Sequence, residues 1–117
     1  MNINMRQVLR TIRGEPIWKS ESTKDKPGEL LLLDDVAANG LMANPSEGPG
    51  RFKYDGKARI RRWELAEKCL SAEYVDLSSE EIVEIKQAIE EAYPSVAIYA
   101  QACKMLEGKQ DGQAKKE

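Results

Sequence analysis

Residues 53–68, KYDGKARIRRWELAEK, gather six Lys or Arg side chains around Tyr54 and Trp63. Cations interleaved with aromatic rings are the material of a nucleic-acid surface, where the charges neutralise phosphates and the rings stack on bases. A helix from about Lys57 to Ser71 sorts the same residues differently. Ile60, Trp63, Glu67 and Leu70 share one side with Ala66 beside them, while Ala58, Leu65 and Cys69 form a second apolar strip. Lys57, Arg61, Glu64 and Lys68 keep an exposed strip on which Glu64 can form ion pairs three and four residues away. Trp63 is then expected in the core, apart from the cations. A core helix is therefore the preferred reading of this stretch.

The remaining chemistry is sparse. The chain has no histidine, so Ser-His-Asp and Cys-His nucleophile arrangements and the usual zinc sites cannot be assembled from it. Gly50 and Gly56 precede Lys57, but five residues separate the glycines and Ala58 follows the lysine. A phosphate-binding loop needs four residues between them and Ser or Thr after the lysine. No acidic cluster has calcium-loop spacing. Asp34 suits a helix cap better than catalysis, and the pair Glu80–Glu81 is accounted for by a helix start. Glu15, Asp34 and Glu64 are not selected for acid–base chemistry by anything around them. Cys69 and Cys103 lack a CxxC spacing and are expected as buried thiols. No catalytic residue, cofactor or metal is expected.

The elements that must position these residues follow from periodicity and punctuation. Residues 5–18 alternate Val8, Arg10 and Ile12 with Leu9, Thr11 and Arg13 before Gly14 and Pro16, which predicts a hairpin. Residues 20–29, SESTKDKPGE, read as a surface loop. A strand is expected to lead into a helix whose buried face is Leu33, Val36, Ala37, Gly40 and Leu41, with Asp34 capping its first turn. Gly40 inside that face signals a close crossing or an early helix end. Residues 44–56 hold two Pro and three Gly and read as a flexible hinge. The third helix has the firmest signal: Ser78 caps, Glu81 reaches back, Leu77 and Ile82 form a staple, and Pro94 ends it. Its buried stripe is Ile82, Ile85, Ile89 and Ala92. A fourth helix from Ser95 carries Val96, Tyr99, Ala100, Cys103 and Leu106, stops at Gly108, and leaves 109–117 as a flexible tail. The fold class is α+β, mainly helical, with an N-terminal hairpin or short sheet and about four helices in one domain over 1–108. Trp63, Leu65 and Leu70 are expected to pack on Ile82, Ile85, Ile89, Val96 and Leu106.

At 117 residues, 41% hydrophobic and 32% charged, the chain can bury one core. No apolar run nears the roughly 20 residues of a membrane span and no leader-like apolar segment opens the chain, so a cytoplasmic protein without membrane contact is expected. Residues 51–70 hold seven basic against three acidic side chains, and 71–107 hold two against eight. A molecule with a basic and an acidic end suits protein docking or self-association, with Lys57, Arg61 and Lys68 as partner-binding residues. The alternative is nucleic-acid binding through Arg51, Lys53, Lys57, Arg59, Arg61 and Arg62, which a pI near 5.4 disfavours.

The pieces RGEPI, LLLLDDVAANGLM, RRWELAEKCL, VDLSSEEIVEIKQAIEEAYPSV and CKMLEG, spread over about residues 6–108, together resemble small proteins encoded by tailed bacteriophages and prophages. The motifs concern packing and capping, and no catalytic residue transfers with them. The resemblance implies a non-enzymatic protein acting through protein–protein interaction in virion assembly, located in the cytoplasm of a bacterial host or incorporated in the virion. The alternative becomes a phage regulator that binds nucleic acid.

Overall fold

In a computed structural model of the chain, residues 1–20 and 28–108 are described. The loop expected at 20–29 and the tail at 109–117 therefore lie largely or wholly outside the described residues. Strand β1 (Asn2–Asn4) is followed by a turn in which Thr11 N donates to Glu15 O at 2.7 Å, Gly14 takes φ +89°, and Arg10 and Pro16 form an isolated bridge. The hairpin predicted over 5–18 is thus present as a tight turn. The alternation there places Leu9 in the core and leaves Ile12 wholly exposed. Strands β2 (Trp18–Ser20) and β3 (Glu29–Leu30) pair antiparallel and lead into helix α1 (Leu33–Met42).

The predicted face of α1 is the buried one: Leu33, Val36, Ala37, Gly40 and Leu41 all lie inside. Its start differs in detail from the expectation. Asp35, not Asp34, caps it, accepting a hydrogen bond from Leu32 N at 3.0 Å. Asp34 lies one residue nearer the helix end and is 5% exposed. Burial, and then the charge of Asp35, push its pKa up despite Arg6 Nε at 3.3 Å.

Residues 44–56 are a hairpin, not a hinge. Strands β4 (Ser46–Gly48) and β5 (Arg51–Phe52) pair across a turn in which Gly48 and Gly50 have φ of +139° and +70°. Proline and glycine serve tight turns as readily as linkers. The base of the hairpin is tied by Tyr54 N donating to Asn44 Oδ1 at 3.0 Å and Lys53 N to Pro45 O at 2.9 Å.

Helix α2 (Gly56–Leu70) is capped by Asp55, whose Oδ1 accepts from Ala58 N at 2.9 Å. It buries Arg62, Leu65, Ala66 and Cys69. The expected strip of Ile60, Trp63 and Leu70 faces solvent instead. Strand β6 (Tyr74–Asp76) returns to β1 in antiparallel register, with Ile3 opposite Val75 and both buried.

Helix α3 (Ser79–Ala92) begins with the expected capping box: Ser78 Oγ accepts from Glu81 N at 3.1 Å, and Glu81 Oε1 from Ser78 N at 2.9 Å. Leu77 and Ile82 flank it inside the core. Ser78→Ala is expected to cost about 1 kcal/mol in urea unfolding, and a loss below a third of that would mean the box adds nothing. Helix α4 (Val96–Leu106) is capped by Ser95 and buries Ala102, Met105 and Leu106, with Ile98 partly buried against them. Val96, expected in the core, is 83% exposed. Only Gln101 and Lys104 interrupt this helix with polar side chains, so several phases were open to it, and contact with α3 selects one.

Helix α1 is the centre of the molecule, with α2 and α3 both packed on it; α4 lies on α3 and touches α1 and β1. The core is one cluster drawn from all four helices, β1, β6 and the segments around Leu9 and Leu31. Leu65, Ile82, Ile85, Ile89 and Leu106 belong to it as expected, while Trp63, Leu70 and Val96 do not. The architecture is a single α+β domain dominated by helices, and no helix among the described residues is long and apolar enough to cross a membrane.

Candidate interaction surface

The basic excess of residues 51–70 and the acidic excess of 71–107 meet inside the molecule, because α2 and α3 both lie on α1. Arg61 forms a two-pronged ion pair with Glu84, Nε to Oε1 and Nη2 to Oε2 at 3.2 Å each. Lys68 Nζ holds both oxygens of Glu81 at 2.9 and 3.0 Å. Lys53 pairs with Glu91, which also accepts from Tyr54 Oη at 2.6 Å. The two charged ends expected from the sequence therefore largely neutralise each other. Between the helices runs a groove of about 570 Å³ that includes Arg61, Glu64, Lys68, Glu80, Glu81 and Glu84.

Arg62 is the one fully buried cation of this charge system. It is 3% exposed, so its place among the nucleic-acid contacts is corrected to a structural one. Its guanidinium carbon lies 3.8 Å from the Tyr54 ring centroid, and Nη2 donates to Tyr54 Oη at 2.8 Å. Nε is 3.3 Å from Glu84 and Nη1 is 3.8 Å from Glu91. Neither of those two atoms is aligned for a hydrogen bond, so the attraction there is Coulombic and the group is incompletely satisfied.

The carboxylates respond to these partners. Burial raises the pKa of Glu91, but hydrogen bonds from Lys53 and Tyr54 with the charges of Lys53 and Arg62 outweigh it, and the net shift is downward. Glu81 is lowered chiefly by the Ser78 backbone N–H and then by Lys68. Both groups stabilise the fold fully above the ordinary glutamate pKa, and that contribution is lost as pH falls through their depressed folded values. Unfolding midpoints should hence decline with acid below about pH 4.5. Glu81→Gln should flatten that decline, and an unchanged profile in this variant would contradict the assignment.

No group of three or more His, Cys, Asp or Glu that could hold a metal occurs among the described residues. Cys69 is buried, and its thiol is pushed up to about 12, which keeps it protonated and poorly nucleophilic.

Of the sequence-predicted contacts, Lys57 and Arg59 remain exposed, with Arg59 Nε donating only to the Asp55 main-chain oxygen at 3.4 Å. Arg51 is exposed on β5. Arg61 and Lys68, expected to meet a partner, are engaged with α3. What the sequence reading placed wrongly is the outer face of α2, where Gly56, Ile60, Trp63, Glu67 and Leu70 recur at spacings of four and three. Ile60 is 62% and Trp63 53% exposed, and Leu70 is also exposed. Beside Trp63, Met42 with Leu41, Tyr54 and Arg59 borders a pocket of about 190 Å³. Glu67 in the middle of the supposed core strip was the available signal, because a buried glutamate would need a partner.

Searches against family models, curated proteins and solved structures each return no match.

Proposed function

We propose that this chain is a non-enzymatic interaction protein that binds a protein partner, a different chain or a second copy of itself, through the outer face of α2, in keeping with the resemblance to small phage proteins and a place in virion assembly. The observation that carries the reading is the solvent-facing strip of Ile60, Trp63 and Leu70. Large apolar side chains exposed together on one helix face are a feature of binding surfaces, and tryptophan is among the residues that dominate interface energetics. Of the cations expected to bind a partner, Lys57 remains exposed on this helix while Arg61 and Lys68 hold α3; Arg59, from the nucleic-acid set, lies beside the strip.

A second reading, nucleic-acid binding, draws on the exposure of Trp63 next to Arg59. Its weakness is charge. Arg62 is buried, Lys53 and Arg61 have acidic partners, and Arg51 has contacts of its own. Of the six cations of this reading, Lys57 and Arg59 are the two left exposed without an ion pair among the described residues once Arg51 is set aside with its own contacts, so log K should fall with log salt at a slope of only about −2, the mark of weak binding.

The test is affinity capture with tagged wild type and a tagged Ile60→Ser/Trp63→Ser variant, each from an extract to which untagged chain has been added, with and without nuclease. A defined protein set retained by wild type, lost in the variant and indifferent to nuclease is expected. Equal capture by both proteins, or loss on nuclease treatment, overturns the reading.

A further inference from the structure

We propose that the partner on this face is a second copy of the chain, with α2 of one protomer lying antiparallel to α2 of the other about a two-fold axis at Trp63. The inference rests on the interaction reading above and adds the occupant. Its argument is charge self-complementarity. Once the internal pairs with α3 are made, Lys57, Arg59, Glu64 and Glu67 of this helix have no ion-pair partner among the described residues, and two of them are placed to pair with each other across a two-fold axis: Arg59 beside the strip and Glu67 within it. They stand four residues before and four after Trp63, about 6 Å to either side along the helix axis.

An isologous contact repeats each interaction twice. In the antiparallel arrangement Arg59 of each protomer meets Glu67 of the other, and Trp63 meets its own copy at the axis. Leu70 then lies over Gly56 of the second protomer. A Cβ added at Gly56 would touch nothing within 4 Å in its own chain, so that surface is open to receive a side chain. A parallel arrangement would set Arg59 on Arg59 and Glu67 on Glu67, and like charges in register oppose it. The Gly56, Ile60, Trp63, Glu67, Leu70 series has the spacing of a helix-pairing seam. One helix of 15 residues offers a small interface, so the affinity should be in the micromolar range.

Sedimentation equilibrium of the whole 117-residue chain, from about 1 µM to several hundred µM, tests it with wild type, Arg59→Glu, Glu67→Arg and an equimolar mixture of the two variants. Wild type should reach a dimer. Each variant alone should show a dissociation constant raised about tenfold or more, because both symmetric pairs become repulsive. The mixture should regain association, since one chain then carries Glu at both positions and the other Arg at both. Both sites are exposed, and circular dichroism checks that the variants fold. A wild type monomeric throughout, or a dimer indifferent to both reversals, overturns the proposal. A monomeric wild type that still captures a different protein through Ile60 and Trp63 overturns self-pairing alone and leaves the interaction reading standing.

Discussion

Replacing Arg62 with alanine is expected to lower the unfolding free energy by about 3 kcal/mol, the low end of the range for breaking a buried ion pair. The low end applies because Arg61 and Lys53 remain to offset Glu84 and Glu91. The variant strands Glu91 with one cation fewer, removes the planar group stacked on Tyr54, and takes the acceptor Tyr54 Oη away from its donor. Arg61→Ala, at a side chain 69% exposed, should cost well under 1 kcal/mol. The contrast between neighbouring arginines is the informative quantity. Urea unfolding of both variants measures it, and equal losses would show that the burial of Arg62 carries no special weight. Because two of its nitrogens lack aligned acceptors, replacing Arg62, Glu84 and Glu91 together by apolar residues of similar size should recover much of the loss.

Gly40→Val is expected to destabilise the protein by about 3 kcal/mol, at the upper end of overpacking effects. Gly40→Ala should destabilise by less. In an ordinary exposed helix, alanine in place of glycine would stabilise by about 1 kcal/mol, so the sign of the alanine result is decisive. A Cβ at Gly40 would stand 3.0 Å from both the carbonyl carbon and oxygen of Ala88 and 3.1 Å from Ile89 N. These atoms belong to the backbone of α3 and cannot swing aside as a side-chain tip would. Moving them shifts a helix that is itself held by Ile82, Ile85 and Ile89 in the core and by its ion pairs to α2. Of the two roles the sequence left open for Gly40, the close crossing is the one the structure adopts, and a stabilised Gly40→Ala variant would refute it.

What could be read from the sequence divides by how local its cause is. Helix α3 was legible from end to end because Ser78, Glu81 and Pro94 act within a few residues of themselves. The buried face of α1 was equally plain, since no competing apolar strip exists on that helix. Helix α2 was placed correctly, and Leu65 and Cys69 of its second apolar strip are buried as expected, but the strip of Ile60, Trp63 and Leu70 faces water. The exposed strip carries Glu67 in its middle, and the buried face takes in Arg62, which the pattern of Ala58, Leu65 and Cys69 did not include. Arg62 is tolerated inside because Tyr54, Glu84 and Glu91 converge on it from a loop and from another helix, and that convergence exists only in the folded chain. The same error hid the candidate interaction strip, whose residues were recognised and then assigned to the core. The hinge assigned to 44–56 failed because composition does not distinguish a Pro-Gly linker from a Pro-Gly hairpin; the Asn44–Tyr54 tie that decides it spans ten residues.

The pairing of β1 with β6 bears on how the molecule comes into being. Ile3 cannot meet Val75 until more than seventy residues have been made, and closing so long a loop carries an entropy cost that local helices avoid. During synthesis Ile3 therefore lacks its β6 partner after α1 has emerged, although Leu9 and Met5 can by then bond to Leu31 and the start of α1. Helices can form as they appear, but the clasp that seals the front of the core is among the last contacts made. In that interval the nascent chain has its greatest exposure to aggregation and to chaperones, a hazard set by strand order and independent of the final stability.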